Sequence, residues 1–362
     1  MEPNTIDTEV AIVGGGLCGL ATAVLLAEAG RDVRLIEARD HLGGRIRSVR
    51  DAGAGDYLAD LGPTWIWPSE QPVVVRWIGK MDLETFAQYE SGKAILDFHP
   101  ERQPEAHHVP GQAGSVRLQG GPQAFIDALA RRLADDACLT GYAANSITTN
   151  ETGVEIAAVG IDDRRIMAEQ VVIAVPPRIA RHAIDWHPAL PAPLAAALDD
   201  VPTWMAPHAK VVAIYERPFW REGGLSGRIA SQAGPIVEGH DHCGPDGTPA
   251  AIFGFIGWPH DLRHRIGADL VEAVRDQLKR CFGPDSPDPL EIHLEDWAAD
   301  PLVATPADLS GPMSHPDVAP DVLRQPHADG RVWFAGAETA TRSPGLIEGA
   351  FDAAERIAAS LA

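Results

Sequence analysis

Gly14, Gly16 and Gly19 follow the apolar run Val10 to Val13 and open a segment, residues 17 to 29, whose Leu17, Leu20, Ala21, Val24 and Leu25 share one helical face. A strand, a glycine turn and a helix in that order present backbone N–H groups to a pyrophosphate at the helix N-terminus. Gly14 makes the tight turn, Gly16 lets the backbone approach the phosphates, and Gly19 lets the helix pack close to the strand. Gly15 and Leu17 belong to the same turn. Gly30 caps the helix, and the strand "DVRLIEA" ends at Glu37, 18 residues after Gly19. A carboxylate there accepts hydrogen bonds from both hydroxyls of an adenosine ribose and repels a 2′-phosphate. Ala38 and Arg39 follow it. In "HLGGRIRS", Gly43 and Gly44 permit a second close backbone approach, and Arg45 sets a fixed planar cation where a diphosphate lies. Together these residues predict a dinucleotide clamped along its length.

A second candidate lies in "HAKVVAIYERPFW", residues 208 to 220. Val211 to Tyr215 read as a strand buried on both faces, yet Lys210 stands at its start. Of the 30 basic residues only four are lysines (Lys80, Lys93, Lys210 and Lys279), so arginine is the compositionally expected cation. Read alone, the segment describes a strand-end lysine reaching water. "GHDHCG" carries His240, His242 and Cys243, but a glycine-flanked loop without a second ligand pair reads as solvated rather than as a metal site. His260 and His264 lack the glutamate of a metalloprotease helix and read as surface residues. No metal is expected.

The surrounding elements are an α/β arrangement. The pattern predicts a helix over 122–134, a hairpin-like run over about 139–167, and a buried strand "VVIAVPP" at 171–177 stopped by two prolines. From there to about 300 the chain reads as loop-rich, with "REGGLSGR" and "GHDHCGPDGTP" as turns or exposed loops, a strand at "AIFGFIGWP" and an amphipathic helix over 268–282. A strand, a turn and an alanine-rich helix over about 346–361 close the sequence. At 362 residues, with 45% hydrophobic and 22% charged residues, the chain has room for two domains. A formal net charge of −21 excludes nucleic acid and anionic membrane as partners by repulsion. A small or cationic substrate fits. Cys18, Cys138, Cys243 and Cys281 form no CxxC pair, no signal-peptide pattern opens the sequence, and no apolar run approaches the ~20 residues of a membrane span, so a cytoplasmic protein is expected.

In "VGGGLCGL", "IEARDHLGGR", "DLGPTWI" (60–66), "VVIAVPP", "LRQP" (323–326) and "WFAGAETATRSPGLIEGA" (333–350), the chain resembles the flavin-containing amine oxidases, which include the monoamine and polyamine oxidases. The resemblance implies that the dinucleotide is FAD. It implies a Rossmann-like FAD-binding domain (1–85, 118–182 and 305–362) and a reduced, discontinuous substrate domain built on a β-sheet (86–117 and 183–304). It implies that Lys210, eight residues before Pro218, is the family lysine that holds a water against the flavin N5. A compact ammonium titrates when buried, whereas a guanidinium stays charged. By the same carry-over, Leu61, Gly62, Pro63 and Thr64 are cofactor-binding. So are Gly336, Leu346, Ile347 and Ala350. Glu338 is implied to bond the ribityl or diphosphate region, Ala143 to lie near the adenine, and Trp297 to match the tryptophan ahead of the flavin contact loop. The helix after Gly345 is implied to direct its N-terminus at the ring.

Two departures qualify the resemblance. Monoamine oxidases carry a flavin-bonded cysteine and a tyrosine where this chain has Pro306 and Ala307, so non-covalent FAD is expected. The second tyrosine of their aromatic cage is replaced by Leu346. Residues 97–116 stand where relatives insert a longer helical lobe. The expected function is an FAD-dependent oxidoreductase, amine oxidase-like, taking hydride from a substrate C–H onto flavin N5 with O2 as acceptor. The alternatives are a desaturase or dehydrogenase of a non-amine apolar substrate, a non-turnover flavoprotein acting as a binding partner, and, for want of a second nucleotide fingerprint, less readily an NAD(P)H-dependent monooxygenase.

Overall fold

The computed structural model describes residues 4–111, 114–310 and 315–362. Val10, Ala11 and Ile12 are fully buried, and this places their strand, Asn4–Val13, inside a sheet covered on both faces. It pairs in parallel with Val33–Glu37 on one side and Arg164–Ile173 on the other. Cys138–Thr140 and Val332–Phe334 extend the parallel array outward. The end of the hairpin-like run and the strand expected at 171–177 are one continuous strand, Arg164–Ile173, which passes through Glu169 and Gln170. Its first half pairs antiparallel with Gly153–Val159, and its second half pairs parallel with Val332–Phe334, so the polar residues sit where one partner hands over to the other. The helices Leu17–Glu28 and Ile347–Leu361 share one core on this sheet, with Phe351 stacked on Trp77 at 4.5 Å.

The second sheet has seven strands, in the order Glu291–Asp296, Ala209–Tyr215, Ala250–Ile256, Ile236–Asp241, Leu225–Ser231, Lys93–Asp97 and Glu105–His107. Every residue of Ala209–Tyr215 is buried, as the apolar run Val211–Tyr215 requires, and Lys210 is buried with it. Helix Asp269–Phe282 packs on this sheet, while Val212, Ile214 and Phe253 cluster with Ala59 and Leu61 of the region that precedes it.

Two expectations for this region are corrected. "REGGLSGR" runs into the strand Leu225–Ser231, whose Gly227 takes a positive φ of 76° beside Trp220 and Asp241, and a glycine inside a strand masks the pattern. The "GHDHC" stretch is buried, not solvated. Asp241 is engaged bidentately by Arg221 at 2.7 and 2.8 Å and by Trp220 Nε1 at 2.8 Å, which offsets the cost of burying its charge.

Candidate functional site

A cavity of about 460 Å³ takes its walls from nearly the whole length of the chain. The glycine turn supplies Gly14, Gly16 and Leu17. Gly14 has a φ of 110°, and a Cβ on Gly16 would meet nothing closer than 3.9 Å, so this backbone is open to the cavity. Gly15 and Gly19 do not line it. Gly19 lies behind the turn, where a Cβ would fall 2.0 Å from the Gly14 carbonyl oxygen, so its task is helix-to-strand packing. The Gly15 N–H donates to Glu37 Oε2 at 2.7 Å, and Glu37 Oε1 accepts from the Arg39 N–H at 2.8 Å. Each carboxylate oxygen keeps a lone pair for a further donor.

Glu37, Ala38, Arg39 and Ala143 form one end of the cavity, where Arg39 is ion-paired with Asp300. Gly43, Gly44 and Arg45 form the adjoining wall. Arg45 is not a free cation. Its Nη1 lies 2.6 Å from Glu338 Oε1, its Nη2 donates to Oε2 at 2.9 Å, and Nη1 also reaches the Trp204 carbonyl at 3.1 Å. Gly336 and Glu338 face the turn, and Leu346, Ile347 and Ala350 bring the N-terminus of Ile347–Leu361 to the cavity. Glu348, one residue further, is buried and turned away, where it accepts from the Val73 and Val74 N–H groups and caps the helix Pro72–Lys80.

The opposite end holds Leu61, Gly62, Pro63 and Thr64, with Trp297 donating weakly from Nε1 to the Leu61 carbonyl at 3.4 Å. Lys210 is 3% exposed and does not extend into bulk solvent. Its Nζ donates to the Gly62 carbonyl at 2.8 Å and to Thr64 Oγ1 at 2.6 Å, and it stands 4.2 Å from the centre of the Phe253 ring. Burial pulls its pKa from 10.5 down to about 7, with Asp60 opposing and Arg117 adding to the fall. Two of three ammonium protons are thus committed to protein, and the side chain lines the cavity with a charge that titrates near neutrality.

The cavity also has walls that the sequence did not single out: Trp65, Trp67, Trp204, His208 and Phe255. Trp65 lies edge-on to Trp67 at 6.1 Å. The His208 pKa is lowered by burial and by Arg263. The only available signal for these residues was aromatic type near a motif, which does not distinguish core from cavity.

A family profile described as flavin containing amine oxidoreductase matches residues 17–112 and 103–362. The chain belongs to this family. A probable flavin-containing monoamine oxidase A of Dictyostelium discoideum is 23% identical, across 96% of this chain and 96% of that protein. Amine oxidase [flavin-containing] B of Canis lupus familiaris is 25% identical, across 97% of this chain and 85% of that protein. Among solved structures, putrescine oxidase bound to putrescine superposes with a TM-score of 0.80 at 22% identity, covering 99% of both chains. Cyclohexylamine oxidase from Brevibacterium oxydans IH-35A gives 0.77 at 20% identity, covering 98% of this chain and 99% of that one. The mixed α/β fold is therefore that of the flavin-containing amine oxidoreductases, and the chain is an oxidoreductase of that family with a flavin as the family cofactor. Pro306 and Ala307 open the short helix Pro306–Ser310. Among the described residues no group of three or more His, Cys, Asp or Glu is placed to hold a metal ion, and no helix is long and apolar enough to cross a membrane.

Proposed function

We propose that this protein is an FAD-dependent amine oxidase or dehydrogenase that binds FAD non-covalently and oxidises a small amine. The residues present fit that cofactor: an open glycine backbone at a helix N-terminus, a carboxylate with free lone pairs at one end, and a second helix N-terminus at the other. When bound, FAD would supply a hydride acceptor at N5 for a substrate C–H alpha to nitrogen, with O2 as the electron acceptor. The chain's own residues do the rest. Glu37 and the glycine turn bind, the paired Arg45 and Glu338 fix the wall between them, and the start of Ile347–Leu361 favours negative charge in the cavity. Lys210 holds a proton at Nζ and keeps one N–H for a water in the cavity.

The observation that carries this reading is Lys210, a buried ammonium titrating near 7 in the same cavity as the glycine turn. Aromatic faces of Trp65, Trp67 and Phe255 support an amine substrate by cation–π attraction where the cage tyrosines are missing. Leu346 on the same cavity supports the rival, a desaturase of an apolar substrate. The two sheets support a division into a cofactor part and a substrate part; Asp185–His187 pairs into the first sheet and Leu194, Ala197 and Leu198 pack in its core, which carries the cofactor part beyond residue 182. Four free cysteines support a reducing, cytoplasmic location. Anaerobic bleaching of the flavin absorbance by amines and not by alcohols or polyenes is the expected result; bleaching by polyenes alone contradicts it.

A further inference from the structure

Behind the wall that carries Lys210 lies a buried polar cluster to which the proposed chemistry gives no task. Asp60 ends the strand Tyr57–Asp60 and is 2% exposed. Its carboxylate accepts from Ser48 Oγ at 3.0 Å and from Tyr57 Oη at 2.8 Å. The Asp60 N–H donates to His242 Nε2 at 2.9 Å, so that nitrogen is an acceptor and the ring is neutral; burial holds its pKa down at about 3. The 3.3 Å approach of His242 to the Asp60 carboxylate is therefore no ion pair. Arg117, also buried, donates to the carbonyls of Cys243 and His242 at 2.7 and 3.1 Å.

This cluster abuts Lys210 by two routes. Gly62 and Thr64, which accept the Lys210 protons, are two and four residues past Asp60. The Phe253 ring touches both sides, with Lys210 Nζ 4.2 Å from its centre and the His242 ring edge-on at 5.2 Å. Both hydrogen-bond acceptors of Lys210 are neutral, so a buried ammonium lacks a contacting anion, and a field from further away must offset its desolvation. Glu295, opposite Lys210 in strand register, is engaged by Arg47 at 2.7 Å. On the adjoining elements Arg117 repels the ammonium, while His242 is neutral. Asp60 is the anion whose charge reaches it.

We propose that Asp60 is a positioning residue for Lys210, its buried carboxylate holding the proton on the cavity-facing ammonium through space, without a hydrogen bond between them. The inference rests on the reading of Lys210 given above and extends it. Burial works against ionisation of Asp60, yet the Ser48 and Tyr57 hydroxyls donate to its carboxylate and the charges of Lys210 and Arg117 favour the anion, so its pKa lies below the ordinary value and the countercharge is present at neutral pH.

The chain has only four lysines, so a ¹³C-lysine-labelled sample gives a short spectrum in which the Lys210 Cε signal is the one that Lys210→Met removes. In the flavin-loaded protein that signal is expected to titrate near pH 7. In Asp60→Asn its inflection falls by about one pH unit or more, as loss of a nearby opposite charge dictates; the other three lysines stay unchanged, and Asp60→Glu restores most of the value. If Asp60→Asn does not fold, the double variant Asp60→Asn with Arg117→Gln removes both buried charges, and the inflection still falls, since Asp60 outweighs Arg117 at Lys210. An inflection that stays at the wild-type pH in either variant overturns the proposal. Flavin reduction rates separate the two ideas. Unchanged rates in Lys210→Met defeat the role of Lys210 yet leave the coupling standing, whereas a static inflection defeats the coupling alone.

Discussion

Arg45 and Glu338 meet as a two-pronged ion pair across 293 residues of chain, with the carboxylate almost wholly enclosed and the guanidinium about a quarter exposed. This contact ties the loop after the second strand to the segment that leads into the last helix, and both partners line the cavity. Removing either partner has unequal consequences. Arg45→Met strands a buried carboxylate and is expected to cost about 3 kcal/mol. Glu338→Gln leaves a partly hydrated cation with one good acceptor and is expected to cost about 1–2 kcal/mol. Urea unfolding of the two variants checks the order.

The glycine turn makes a prediction about space against conformation. Gly19→Ala drives a Cβ to 2.0 Å from the Gly14 oxygen, so helix and strand must part, at about 3 kcal/mol or more. Gly30→Ala has open space but a φ of 86°, so only the backbone term of about 1–2 kcal/mol applies. Thermal melts of the two variants should therefore differ, with Gly19→Ala the lower.

Both glycines were legible before any coordinates, because strand, turn and helix are consecutive and each residue's task is set by its immediate neighbours. The Lys210 segment was legible as a buried strand, and only the family resemblance marked its ammonium as one that titrates. Its acceptors Gly62 and Thr64 and its countercharge Asp60 come from a segment about 150 residues earlier, and no local pattern reports a partner at that range. The same holds for Glu338 with Arg45, and for Glu348, which caps a helix 275 residues before it. "GHDHCG" was misread for a related reason: polar residues look solvated until Arg221, Trp220 and Arg117 are seen to satisfy them.

Lys210 also makes stability depend on pH. Its pKa is about 7 in the folded protein and 10.5 as the reference, so between these values the unfolded chain binds the extra proton and folding becomes more favourable as pH rises. Below about pH 7 both states are protonated and the burial penalty is felt in full. Relative to wild type, Lys210→Met is expected to be more stable at pH 6, by on the order of a few kcal/mol, with the difference shrinking toward pH 10. Unfolding free energies of the pair across that range are the measurement, and a difference independent of pH contradicts a buried, titrating ammonium.

Glu37 joins the turn to the cavity end, holding the Gly15 and Arg39 N–H groups at once. Glu37→Gln replaces one charged acceptor oxygen by a donor and removes the charge. A loss of charged hydrogen bonds worth about 1.5–3 kcal/mol corresponds to roughly ten- to hundredfold weaker FAD binding. Equilibrium dialysis against FAD tests this, with Arg50→Ala, remote from the cavity, as the control expected to bind normally.

The most direct test of the whole account is the visible spectrum of the purified protein before and after denaturation. The account predicts flavin bands in the native protein and their full release as free FAD into the supernatant once the chain is unfolded and removed. A colourless protein that does not take up added FAD, or a flavin that stays with the precipitated chain, contradicts it.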